Sequence, residues 1–291
     1  MRMSSPATLP HRKPSENEQA ALLRLLADDD AGVYRAIRER VVSLGPESRD
    51  WLRPHVLSSD AVLRRRAREI VQYFDRQEAD TRFLAYCLKP GETFDLEKAA
   101  WMLARTRYPD INVEAYRAIL DDYASELRAQ LDFGAGAERI LGTVNEHLFD
   151  DLGFAGNEEN YYDIENSYLN RVMDRRTGNP ISLCLLYMLV TRRLALPVTG
   201  IGLPGHFVCR YQSSSDEFYI DAFNRGRLLS KADCVQYLLR GNYSLRDDFL
   251  SPMSPRRILM RMCSNLHKIC TQFELAEEAT RLQRYIIALG Q

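Results

Sequence analysis

The stretch Pro180–Leu194, PISLCLLYMLVTRRL, limits what this chain can fold into more than any other segment. It has helical length and is apolar around most of its circumference, so it predicts a helix buried inside the fold rather than laid on its surface. Asn179 is a good N-cap for it. Pro180 suits the first helical position, where its missing N–H is one that the helix leaves unsatisfied anyway. Three short β-type runs follow, LPVTGIGL, HFVCRYQ and EFYIDAF, separated by Pro-Gly and SSSDE turns, and they predict an antiparallel meander. SKADCVQYLL then returns to a helical pattern, and two more helices span RRILMRMCSNLHKICTQFELAEEATRLQRYIIAL. Helices in front, one central helix with its strands, and helices behind make an α+β chain.

Upstream, residues 1–17 are polar and aperiodic and predict a disordered tail. From residue 18 to about 131 the pattern is helical. AALLRLLADDD and VYRAIRERVVSLG place leucine, valine and isoleucine on stripes, with Asp28–Asp30 as a turn and Gly45 as a stop. WLRPHVLSSDAVLRRRAREIVQYF repeats the order of short helix, Asp turn and longer helix. This resembles a degenerate HEAT-like repeat, and a plain helical bundle is the equal alternative, because two units give few neighbours to bury their faces. The basic run Arg64–Arg66 predicts a solvated helix face. Further helices are expected over DLEKAAWMLARTRYPD, from residue 113 to Leu131, and from Ala137 to Leu152 with Gly153 as the end. Residues 156–179, rich in Asn, Tyr and Asp, predict ordered but irregular chain. The expected divisions are a tail at 1–17, a helical region at 18–131, an α+β domain at 132–240 and a helical hairpin at 241–291.

Charge and cysteine usage narrow the function. Lys plus Arg number 39 and Asp plus Glu 40, a formal net charge of −1 in 291 residues. So even a balance gives no global field for nucleic acid or an anionic membrane, and neither is expected as a partner. No run approaches a membrane span and the N-terminus has no apolar core of a signal peptide, so a cytoplasmic location is expected. The six cysteines form no CxxC pair and the five histidines are dispersed, which predicts reduced thiols, no metal site and no cofactor.

The order helix start, histidine, aspartate is that of a cysteine-type triad, in which a thiol at a helix N-terminus faces a His–Asp pair. GHFVCRY supplies His206 and FYIDAF supplies Asp221 on neighbouring strands. The nearest thiol, Cys184, lies a turn inside the helix, about 6 Å farther along its axis. There it is expected among Leu183, Leu186, Tyr187 and Met188, where desolvation raises a thiol's pKa and makes it inert. Cys209, three residues after His206, is expected on the opposite face of the sheet. Ser182 is nearer the helix end and needs a base within hydrogen-bond reach. His206 and Asp221 also read as a structural strut between strands. Asn170, Arg176 and Asn224, with the aromatic flank Phe207, Tyr219 and Phe223, are the candidate lining of a cleft. Tyr161, Tyr162 and Tyr168 read as packing groups.

The run LGFAGNEENYYDIENSYLNRVMDRRTGNPISLCLLYMLVTRRLALPVTGIGLPGHFVCRY, with YIDAFNRG after it, resembles the SirB-type branch of the transglutaminase-like superfamily. The similarity is dense from about Leu141 to Leu239. It implies a papain-like core in which a central helix packs on an antiparallel sheet, flanked by a helical N-terminal region and a tetratricopeptide-like tail. In active members of the superfamily a cysteine opens that helix and a histidine and an aspartate sit on adjoining strands. His206 and Asp221 match the last two, and Pro180 stands at the nucleophile's position. The resemblance therefore implies a pseudoenzyme that binds a protein or peptide partner. The rival is a cysteine- or serine-type hydrolase or acyltransferase with His206 as base and Asp221 as orienter. A third reading makes the chain a helical-repeat scaffold carrying the α+β core as a rigid insert.

Overall fold

The computed structural model describes residues 14–90, 94–243 and 247–291, and it divides into two compact units, Met1–Asp80 and Thr81–Gln291. Residues 1–13 of the expected disordered tail lie outside the described residues. Its last part is helical, because Ser15 accepts from the Glu18 N–H and Glu18 reaches back to the Ser15 N–H, which starts a helix at Glu16.

In the first unit α1 (Glu16–Leu26), α2 (Ala31–Ser43), α3 (Ser48–Leu52) and α4 (Ala61–Cys87) follow in order, and the division between the units falls inside α4. One device starts two of these helices. Asp30 accepts the N–H groups of Gly32 and Val33, and Asp60 those of Val62 and Leu63. Leu26, Val41, Leu52, Ala67, Ile70 and Phe74 close a core of their own. Only part of the Arg64–Arg66 run is solvated. Arg65 is exposed, but Arg66 is buried, donating to the carbonyls of Leu26 and Asp28 with its guanidinium 4.4 Å from the Tyr34 ring centroid. The stem packs and the head finds backbone acceptors, which the dense charge of the run concealed.

The second unit holds α5 (Leu96–Arg107), α6 (Val113–Gln130), α7 (Ala137–Asn145), α8 (Leu169–Arg175), α9 (Pro180–Arg193), α10 (Lys231–Arg240), α11 (Pro255–Gln272) and α12 (Ala276–Gly290). The expected α+β architecture is present. β3 (Val198–Ile201), β4 (Val208–Gln212), β5 (Glu217–Asp221) and β6 (Arg227–Leu229) form an antiparallel sheet in sequence order. The first three are the expected meander, and β6 is one strand more. Register pairs Cys209 with Ile220, and both side chains join the core that contains Leu183, Cys184 and Tyr187 of α9. Val208 and Tyr219 point the other way, to Cys234 and Leu238 of α10. The helix from Ala137 ends in a π turn over Glu146–Asp151, with Gly153 beyond it at φ +73°. Residues 156–179 are more regular than their composition predicts. β1 (Ala155–Gly156) and β2 (Thr177–Gly178) pair in parallel, and a 3-10 turn leads into α8. The pair needs glycine twice, since a Cβ on Gly156 would lie 2.6 Å from the Phe223 carbonyl oxygen and one on Gly178 2.7 Å from the Ser182 hydroxyl.

α9 is fixed at both ends. At its N-terminus Asn179 caps the Ser182 N–H at 3.0 Å while Ser182 Oγ accepts from the Asn179 N–H. At its C-terminus Arg193 grips the buried Glu97 of α5 with two N–H groups, at 2.8 and 3.1 Å, and Arg192 pairs with the same carboxylate. Cations at that end also suit the helix dipole. α11 and α12 run antiparallel, since Arg256 at the start of one donates to the carbonyls of Ala288 and Leu289 at the end of the other.

Candidate functional site

The site grows from the start of α9. Ser182 Oγ donates to the Asn166 carbonyl at 2.6 Å, and the Asn179 N–H donates to the same oxygen at 3.2 Å. The Asn166 side chain, fully buried, donates to the carbonyls of Asn160 and Tyr161 and accepts from Asn157 Nδ2 at 3.0 Å. These amides hold residues 157–166 against the helix end and set Tyr161 and Tyr162 beside it, with the two rings edge to face at 5.2 Å. The stitching of this loop is thus done by Asn157, Asn166, Asn179 and Ser182.

His206 and Asp221 are brought together as expected, with Nε2 to Oδ2 at 2.9 Å. The sequence placed His206 on a strand. It lies two residues before β4, in the Gly202–Phe207 loop, and Asp221 is the last residue of β5. That loop is tied to α11, because Arg261 donates to the carbonyls of Leu203 and His206 at 2.5 and 2.6 Å and stacks on the Phe207 ring. Burial alone would raise the Asp221 carboxyl. The hydrogen bond and charge of His206, with two hydrogen bonds from Asn224, outweigh it and hold the group below its ordinary value. An ionised Asp221 only accepts, so His206 Nε2 carries the proton toward it. Nδ1 has no partner among the described residues; it accepts when the ring is neutral and donates when the ring is charged.

His206 lines a cavity of about 360 Å³, within the size range of small-ligand sites. Pro180 and Ile181 of α9, Gly205 to Phe207, Tyr161, Tyr162 and, from α11, Arg261, Asn265 and Lys268 line it. Phe223 and Tyr237 flank the imidazole at 6.4 and 6.0 Å between ring centroids. The tyrosines divide: Tyr168 is buried as a packing group, whereas Tyr161 and Tyr162 are about two-fifths exposed on the cavity wall.

The other candidate residues stand elsewhere. Cys184 is fully buried, its thiol pointing at the Phe207 carbonyl, 3.5 Å away, and burial with the neighbouring Cys209 thiol pushes its pKa well up. All six cysteines are buried. Ser182 is spent in the capping box. Asn170, on α8, is buried and not among the cavity's lining residues. Nor is Arg176, which sits in the left-handed region at φ +57° with its guanidinium over the Phe154 and Tyr123 rings. Asn224 is exposed and braces Asp221. What sequence reading missed is the wall from α11. Its signal was present in RMCSNLHK, where Arg261, Asn265 and Lys268 recur at helical spacing, but nothing local tied that stripe to His206.

A central helix on an antiparallel sheet, with a His–Asp pair at the helix's start, defines a transglutaminase-like fold. The sequence matches the family described as the transglutaminase-like superfamily over residues 114–264. The chain belongs to that superfamily and, within it, to the UPF0162 family. It is 35% identical over 206 residues to a UPF0162 protein of Xylella fastidiosa, covering 68% of this chain and 73% of the relative. With a UPF0162 protein of Pseudomonas aeruginosa it shares 30% over 208 residues, 70% of this chain and 75% of the relative. It is also 29% identical over 231 residues to F-box only protein 21 of Mus musculus, covering 69% of this chain and 36% of that protein. No solved structure matches the chain. Among the described residues no helix is long and apolar enough to cross a membrane.

Proposed function

We propose that this chain is a cytoplasmic, SirB-type member of its superfamily that has kept the cleft for binding a peptide or protein segment and lost covalent catalysis. One observation carries this reading: Pro180, with neither thiol nor N–H, opens α9 on the wall of the cavity that His206 also lines. Two catalytic elements are lost together there. The nucleophile is gone, and so is the first backbone N–H of the helix, a natural donor to an oxyanion forming beside it. A general base contributes roughly 10²–10⁴-fold only when it has a positioned proton to take. Ser182 is held by its cap and Cys184 is closed off behind the Phe207 backbone. The helices before residue 132, read as HEAT-like, and the tetratricopeptide-like pair after residue 240 serve as further partner surfaces.

The test pairs turnover with thiol reactivity. Incubation with a mixed peptide library, followed by mass spectrometry, is expected to return the peptides uncut and without deamidation or cross-linking. Iodoacetamide is expected to label no cysteine of the native protein. Turnover by the wild type that disappears in His206→Ala, while the melting temperature is unchanged, overturns the binding reading and installs the hydrolase or acyltransferase.

A further inference from the structure

We infer that the cavity selects peptides by a carboxylate group, held by Lys268 of α11 beside the start of α9. The inference rests on the binding reading above and adds the chemistry of the occupant. The cavity wall has Arg261 and Lys268 and no aspartate or glutamate. Asp221, bonded to His206, is matched by the imidazole and by Asn224. Arg261 places one terminal nitrogen, Nη2, on two backbone carbonyls, which fixes the His206 loop and holds that half-buried cation in the wall without a carboxylate partner among the described residues. Lys268 is exposed and likewise forms no ion pair among the described residues, so of the two cavity cations it is the more accessible to a ligand.

The remaining wall fits a peptide rather than a bare anion. His206 Nδ1 is unpartnered among the described residues and can meet a backbone N–H or carbonyl of a peptide, Asn265 offers an amide one turn before Lys268, and the exposed rings of Tyr161 and Tyr162 give apolar surface. A chain segment that presents a backbone polar group to the imidazole and a carboxylate to the ammonium satisfies both. Because the whole molecule is near neutrality, this attraction is local and is screened by salt.

The test is fluorescence anisotropy with labelled pentapeptides of one sequence. They carry a central Glu with an amidated end, a central Gln with a free C-terminus, a central Gln with an amidated end, or a central Lys with an amidated end. The full-length protein is expected to bind at least one carboxylate peptide about threefold to tenfold tighter than the neutral one, as for a partly exposed charge pair. The first two peptides separate a side-chain carboxylate from a chain terminus. Lys268→Glu, a change at an exposed position, is expected to reverse the order and favour the lysine peptide. Equal affinity for all four peptides, each weakened by Tyr161→Ala, overturns the carboxylate preference and leaves the binding reading standing. No binding of any of them at millimolar concentration overturns both.

Discussion

Asp221 keeps its charge where burial works against it, and that has a consequence for acid stability. Its folded pKa is depressed, so its contribution is complete above the unfolded value near 3.9 and is lost as pH falls through the lower folded value. Asp221→Asn is therefore expected to cost about 1–3 kcal/mol in urea unfolding at pH 7, the scale of a hydrogen bond to a charged group. The gap between variant and wild type should hold down to about pH 4 and close below it. A gap that persists unchanged into strong acid would show that the carboxylate's charge is not what stabilises the pair. At this scale the sequence was legible where chemistry and strand spacing coincided. GHF and YIDAF put His206 and Asp221 at matching ends of β4 and β5, and the apolar neighbours of Cys184 marked it as core. It was less legible where partners are remote. Asn166 binds the helix end through its carbonyl, which any residue has, and Arg261 is fixed by two carbonyls of a loop far away in the chain.

Among the elements, α9 carries the site because it is both the most buried helix and the best anchored. Its capping residues were readable, since Asn179 and Pro180 are strong start signals, while the Glu97 clamp at the other end was not. Nothing in DLEKAAW marks that carboxylate as buried under Arg192 and Arg193. β1, β2 and α8 were missed because two-residue strands and a seven-residue helix fall below any detectable period. The anchored helix makes a sharp prediction. Pro180→Cys returns a thiol to the first position of α9, where the dipole and the neighbouring His206 favour thiolate. An ordinary thiol, with a pKa of about 8.5, is almost fully protonated at pH 6. The introduced cysteine is expected to be alkylated by iodoacetamide at that pH in the folded protein, and the added change His206→Ala to slow it. Labelling that appears only after denaturation would mean that the helix start does not face the imidazole.

For the molecule as a whole, the two units have different means of staying folded. The first has a core built around Leu26, Val41, Leu52, Ile70 and Phe74, none of which belongs to the large core around α9. A unit of its length buries roughly 60% of the surface its unfolded chain exposes, against about 70% or more for one the size of the second, so it is the more marginal of the two. Calorimetry of the full chain is therefore expected to resolve two transitions, with the first unit melting at the lower temperature. Leu52 is fully buried, and Leu52→Ala removes its contacts at a cost of about 2–5 kcal/mol. In a domain of this size that lowers the midpoint by roughly 10 °C or more. The lower transition should move by that amount and the upper one should stay. The peptide binding proposed for the His206 cavity, whose lining residues all belong to the second unit, should survive at temperatures between the two transitions. A single transition that Leu52→Ala shifts as one, with binding lost along with it, would show that the units unfold together.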